Sequence, residues 1–123
     1  MKINSAICAL LLLFASVGVM PSPADAHHSF AMFDRSKIVK VEGVVARFEW
    51  TNPHVFIDVE ASGAPVVRYK IESASINMLM RAGWKFDSLK AGDKVEISFN
   101  PLKSGQPGGL LLEVKLGVTI LKG

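Results

Sequence analysis

The stretch VEGVVARFEW, residues 41–50, decides the fold. Up to Gly43 the apolar residues fall on odd-numbered positions, as at Val41. Beyond the glycine the apolar set moves to the other parity, and its members are Val44, Ala46, Phe48 and Trp50. A change of parity at a glycine is typical of a β-bulge, which bends a strand sharply. The stretch therefore predicts a long, coiled first strand with a bulge at Gly43.

Two further strands follow this one. The segment NPHVFIDVE, residues 52–60, alternates apolar and polar residues, and so does VVRYKIE, residues 66–72, after the turn SGAP. A period of two is the side-chain repeat of a strand. The residues predicted to face the core are Val55, Ile57, Val59, Val67, Tyr69 and Ile71.

The next segment changes to a helical period. In SASINMLMRAGW, residues 73–84, Ile76, Leu79 and Met80 are spaced to share one face of a helix. A serine precedes them as a possible N-cap, and Gly83 follows where a helix would end. One short helix is therefore predicted here.

Alternation then returns for two last strands. Val95, Ile97 and Phe99 are predicted to face inward in LKAGDKVEISFN, residues 89–100. PLKSGQPGG, residues 101–109, is predicted to be a flexible loop. The closing strand LLLEVKL, residues 110–116, would face inward with Leu110, Leu112, Val114 and Leu116. The tail, residues 117–123, either extends this strand or pairs at an edge.

Three strands, one short helix and two strands are the element order of an OB-fold. We therefore predict a mainly β domain: a small OB-fold-like five-stranded barrel with one short helix between strands 3 and 4. A different small α+β meander or a two-sheet sandwich is the alternative. The predicted divisions are a signal peptide over 1–26, an N-terminal arm over 27–37 and the barrel over 38–123.

The first residues have the pattern of a secretory leader. Lys2 precedes the uncharged apolar run of residues 6–20, and Ala24 and Ala26 match the small-x-small signal that a signal peptidase accepts. The alternative is an uncleaved membrane anchor. However, a spanning helix needs about 20 apolar residues, and prolines end this run earlier. We expect cleavage after Ala26, a periplasmic or secreted location and no membrane span after processing.

The composition argues against several classes of function. The net charge is only +3 and is interspersed, so no basic patch predicts nucleic-acid binding. The single cysteine, Cys8, lies in the leader, and no serine lies in a Gly-x-Ser-x-Gly elbow. No glycine-rich phosphate loop opens a helix. We predict a binding or accessory protein rather than an enzyme, with an unidentified envelope protein or small ligand as its partner.

All three histidines of the chain fall in two short motifs. His27 and His28 would begin the mature chain, and His54 follows Trp50 in WTNPH. A terminal His27 would offer both its α-amino group and its imidazole to one metal ion. A nitrogen-rich set of this kind suits copper(II), and zinc could also use it. The hypothesis is a metal site formed by His27, His28 and His54.

The same residues also allow interpretations without a metal. Asn52 and Pro53 would form a turn, and His54 would then cap or pack. Phe30 and Phe33 would dock the N-terminal arm on the barrel through apolar contacts. A small anionic or sugar-like ligand could instead bind an outer face formed by Phe56, Arg68 and Lys70. These alternatives stay open at the level of the sequence.

Four segments together resemble a known family. AHHSFAMFD, VEGVVARFEWTNPHVFIDV, RAGW and LKAGDKVEI are similar to segments of the secreted bacterial domain-of-unknown-function family 6152. The resemblance extends from His27 to about Leu116. It implies an exported single-domain protein of the cell envelope and assigns no catalytic residues. The positions that match its signature segments are His27, His28, Asn52, Pro53 and His54.

Overall fold

The computed structural model describes residues 30–123, which form six strands and a short helix. The elements are β1 (Val39–Glu49), β2 (Phe56–Ala61), β3 (Arg68–Glu72), α1 (Ile76–Arg81), β4 (Lys94–Pro101), β5 (Gly108–Leu116) and β6 (Thr119–Lys122). The tail of the chain is therefore a separate strand: β6 pairs antiparallel with β5 after a tight turn at Gly117.

The strands close into a barrel. They are hydrogen-bonded in the order β3-β2-β1-β4-β5, and a parallel pairing of β3 with β5 joins the two ends. β1 is long enough to pair with both β2 and β4. This closure excludes a two-sheet sandwich and an open meander. It confirms the predicted five-stranded, OB-fold-like barrel with a short helix between β3 and β4.

Alternating residues of the strands fill the interior. The fully buried strand residues include Val45, Ile57, Val59, Ile71, Ile97, Phe99 and Val114. Leu79 of α1 and Trp84 just beyond it join the same core. Each side chain of this size contributes roughly 1.5–3 kcal/mol when it is removed from water. The inward faces predicted for β2 and β4 are confirmed.

The bulge of β1 lies three residues beyond its predicted position. Val45 pairs with Val59 and Arg47 with Asp58, so Ala46 is the extra residue. Val44, predicted to face inward, is exposed. Gly43 serves a different purpose, because a Cβ there would overlap the carbonyl oxygen of Glu60. The glycine permits close strand approach, and the bulge follows it.

Two glycines allow the barrel to close. Gly108 and Gly109 belong to β5 and pair with Lys70 and Ile71 of β3, whereas the sequence assigned them to a flexible loop. A Cβ on Gly109 would overlap the carbonyl oxygen of Asn100 on β4. Side chains at this seam would therefore hold the neighbouring strands apart.

The inward face predicted for the last strand is correct only in its second half. Ser98 pairs with Glu113 and Phe99 with Leu111, so Leu112 is an extra residue that reverses the parity. Leu111 is buried in place of Leu110 and Leu112. Three consecutive leucines contain no alternation, which is why the sequence pattern did not locate this reversal.

Helix α1 is short and capped at both ends. Ser75 is the N-cap, and its hydroxyl accepts a hydrogen bond from the Met78 amide. At the other end Gly83 has a φ of +92°, and the Trp84 amide donates to the Leu79 carbonyl. This is a Schellman ending, accompanied by the contact of two buried apolar residues. Of the residues predicted to share one face of the helix, Leu79 is buried, whereas Met80 is exposed.

Candidate metal and ligand residues

The loop that carries the WTNPH motif is fastened to α1. It joins β1 to β2, and Thr51 donates its hydroxyl hydrogen bond to the carbonyl of His54 over 3.2 Å. The side-chain oxygen of Asn52 accepts a bond of 3.0 Å from the Ile76 amide. The first amides of a helix lack partners within the helix. Asn52 therefore acts as a second N-terminal cap, supplied from a distant part of the chain.

Pro53 and Trp50 complete this loop in different ways. The chain bends at Asn52 and Pro53, and the peptide bond between them is cis. Trp50 is half-buried, and its ring centroid lies 5.6 Å from that of Phe48. Asn52 and Pro53 thus change the direction of the chain, while Trp50 packs at the rim of the core.

His54 is held by one nitrogen. Its Nδ1 lies 3.1 Å from the carbonyl oxygen of Ser73 and 3.3 Å from Oε1 of Glu72. A carbonyl oxygen accepts hydrogen bonds and cannot donate them, so the network assigns the proton of the neutral ring to Nδ1. Nε2 then carries the free lone pair. Within residues 30–123 no hydrogen-bond partner faces Nε2, and the side chain is 35% exposed.

The other two predicted metal ligands, His27 and His28, lie outside the described residues. Within residues 30–123, no three histidine, cysteine, aspartate or glutamate side chains lie close enough together to hold a metal ion. Among the described residues, Glu72 is the only ionisable side chain paired with His54. What the structure shows is one oriented imidazole with a carboxylate beside it.

The outer face predicted to bind a small ligand is occupied by internal pairs. Arg68 forms an ion pair with Glu60, and this hydrogen bond raises the pKa of Arg68 above its ordinary value. The ammonium of Lys70 lies 4.6 Å from the centre of the Phe56 ring. Lys70 also faces Asp58 across the β2–β3 ladder. Positive and negative groups thus balance on this face.

The N-terminal arm is docked through one of the two predicted phenylalanines. Phe33 is 3% exposed and forms a bridge with Leu102, whereas Phe30 is 44% exposed. The Asp34 amide donates to the Pro101 carbonyl over 2.8 Å. The buried Asn100 side chain donates to the carbonyl of Lys37 over 2.7 Å. From Phe33 onward the arm is therefore fixed to the end of β4.

Sequence reasoning did not identify Glu72 as the partner of His54. The pairing of the second and third strands contains this information. In an antiparallel pair, the residue numbers of facing partners always add up to the same value. Phe56 pairs with Glu72, which places His54 beside residues 72–74. The cap that Asn52 provides depends on tertiary packing over 24 residues and leaves no local signal.

Comparison with known proteins identifies the family. Residues 14–112 match the model described as a family of unknown function (DUF6152). The search found no matching curated protein and no matching solved structure. In the part of the chain from residue 30 onward, no helix is long and apolar enough to cross a membrane. The match spans most of the sequence and confirms the resemblance, so the chain belongs to the DUF6152 family.

Proposed function

We propose that this protein is an exported cell-envelope domain that binds a transition metal, with copper(II) preferred over zinc. In this proposal residues 1–26 are removed on export, and the metal is held by His27, His28 and His54. The role is binding rather than catalysis. The observation that carries the proposal is the orientation of the His54 ring, which leaves Nε2 with a lone pair and no described partner.

The surroundings of His54 match those of a metal-binding histidine. Such histidines commonly donate one ring N–H to a carboxylate or backbone carbonyl and bind the metal through the other nitrogen. His54 has both kinds of acceptor, since Nδ1 faces Glu72 and the Ser73 carbonyl. The contacts fix the ring orientation before any metal binds.

The preference for copper follows from the proposed donors. A terminal amine and imidazoles from three histidines are all nitrogen ligands of intermediate softness. Copper(II) favours tetragonal arrangements of such donors and lies at the top of the affinity order for divalent first-row metals. Zinc accepts similar ligands in tetrahedral geometry and is expected to bind more weakly.

The experiment is a copper(II) titration of the mature protein, followed by visible absorption and by thermal stability. One equivalent should bind and raise the melting temperature, because a ligand that binds only the folded state stabilises it. The double variant His27→Ala/His28→Ala and the variant His54→Ala should each bind at least about tenfold more weakly. Equal binding by wild type and both variants would overturn the proposal.

A second preparation tests the terminal amine. Mature protein whose N-terminus is acetylated keeps all three imidazoles but loses the α-amine as a donor. Its affinity for copper should fall, whereas an extra alanine after Gly123 should have no effect. N-terminal sequencing of the exported protein tests the cleavage itself.

The competing function is a structural or small-ligand-binding barrel without a metal. The burial of Phe33 favours a structural role for the arm. In a ligand-binding barrel, charge changes at Arg68 or Lys70 would alter ligand affinity more than changes at the histidines. Copper binding that is insensitive to all three histidines would shift support to this alternative.

A further inference from the structure

A groove of about 390 Å³ lies beside the C-terminal end of α1. It is lined by Trp50, Met80, Trp84, Lys85 and Phe86. Its volume falls within the range of small-molecule sites, which is roughly 300–1,000 Å³. Neither His54 nor Glu72 lines it, so it is separate from the proposed metal site.

The walls of the groove expose large apolar side chains. Phe86 is 72% exposed and Met80 is 60% exposed. A cluster of this kind commonly marks a contact site. Methionine side chains are flexible and adapt to the shape of a partner.

The floor of the groove is rigid. Trp84 is 2% exposed, and its indole N–H donates to the carbonyl of Lys122 over 2.6 Å. The ring of Phe48 lies 6.1 Å from Trp84 and 5.6 Å from Trp50, measured between centroids. The cavity therefore exists before a ligand arrives, which lowers the entropic cost of binding.

The polar groups at the groove are hydrogen-bond donors. Lys85 is the charged residue of the lining, and Arg81 ends the adjacent helix. Within residues 30–123 neither cation forms a salt bridge. The indole N–H of Trp50 likewise meets no acceptor in the described part of the chain. Asp87 follows Phe86 but does not line the groove.

We propose that this groove binds an amphipathic monoanion, a single alkyl chain that ends in a carboxylate. The alkyl chain packs between Phe86, Met80 and the tryptophans. The carboxylate accepts hydrogen bonds from Lys85 and from the indole N–H of Trp50. The apolar walls suit the alkyl chain, and the unpaired donors, one of them positively charged, suit the carboxylate. A cationic amphiphile would be repelled by the same lysine.

The chain contains two tryptophans and both line the groove, so intrinsic fluorescence reports on this site directly. The probe is sodium decanoate, titrated well below its micelle concentration into the full mature protein. Decanoate should change the tryptophan emission saturably. Decyltrimethylammonium, which has the same chain and a cationic head group, should bind about tenfold more weakly or not at all.

Variants identify the contributing residues. Phe86→Ala should weaken decanoate binding about tenfold, because Phe86 supplies much of the apolar contact. Lys85→Glu should weaken decanoate similarly while leaving the binding of neutral 1-decanol unchanged. Val66→Ala is the matched control, since Val66 is an exposed apolar residue away from the groove, and it should bind decanoate as wild type does.

Three results would overturn the proposal. One is the absence of a saturable change in emission with decanoate. Another is equal affinity for decanoate and decyltrimethylammonium. The third is a response to phosphatidylglycerol vesicles with none to monomeric decanoate, which would assign the groove to a membrane surface.

Discussion

The two ends of α1 differ in the chemistry they present. At the N-terminal end the loop of residues 50–55 is fixed by polar contacts, with Asn52 bonded to the first helical amide and His54 bonded to Ser73. At the C-terminal end Met80 and Phe86 remain exposed around a groove. One end orients a polar group, and the other offers apolar surface.

The difference shows how a six-residue helix can support two kinds of site. A helix this short contributes little stability of its own. Its position depends on Asn52 at one end and on the buried pair of Leu79 and Trp84 at the other. The same contacts that place the helix therefore shape both the His54 region and the groove.

The largest expected effect is at the C-terminal end. Trp84→Ala should lower the free energy of unfolding by about 3–5 kcal/mol, because it removes a fully buried aromatic side chain. Chemical denaturation measures the loss. Phe86→Ala, which truncates an exposed aromatic residue two positions away, should change stability by less than about 0.5 kcal/mol. Similar losses of stability in the two variants would contradict the assignment of Trp84 to the rigid floor of the groove and of Phe86 to its exposed wall.

The next effect concerns the N-terminal end and rests on the proposed metal site. Glu72→Gln keeps an acceptor near Nδ1 of His54 but removes the negative charge. Copper affinity should fall about tenfold, as is typical for the loss of a group that orients a ligand. Glu60→Gln, on the same outer face, should leave the affinity unchanged, and an equal loss there would indicate a general charge effect.

A smaller effect is expected from the cap that Asn52 provides. Asn52→Ala should cost about 1 kcal/mol of stability, because the amide of Ile76 loses its acceptor. Asn77→Ala is the matched control, since that residue is exposed within the helix, where alanine is a better helix former than asparagine. Denaturation curves in which Asn77→Ala is the more damaging change would refute the capping role.

The smallest effect is a pH dependence at β6. The hydrogen bond from Lys122 lowers the pKa of Glu113 below its ordinary value of 4.5. A carboxyl group with a lowered pKa stabilises the fold above its unfolded-state pKa, and that contribution is lost as the pH falls through the folded-state pKa. Wild type should therefore lose slightly more stability below pH 4.5 than Glu113→Gln does. Identical pH profiles would show that this pair holds β6 without energetic effect.

The order of elements could be predicted from the sequence because the spacing of apolar residues and the turn residues between segments are local features. The alternation around Ile57 and Ile97 and the helical spacing before Gly83 each specify one element, and their order specifies the barrel. The alternating pattern of VVRYKIE also placed Arg68 and Lys70 on the outside, where they are exposed.

The details that failed depend on tertiary contacts. The change of apolar parity predicts the bulge at Gly43, but the close approach of the Glu60 carbonyl explains that glycine. Met80 has helical spacing, yet it is exposed, and the buried residues in this part of the chain are Leu79 and Trp84. The identification of Glu72 as the partner of His54 requires the register between β2 and β3, which the alternating pattern does not give.

The most direct test of the metal proposal is a long-range ¹H–¹⁵N NMR spectrum of the mature protein at neutral pH, before and after copper(II) is added. Without metal, His54 should have its proton on Nδ1 and a bare Nε2. A substoichiometric amount of copper should then broaden the ring signals of His27, His28 and His54 together. Signals of His54 that remain sharp while copper binds elsewhere, or a ring protonated on Nε2, would contradict the account.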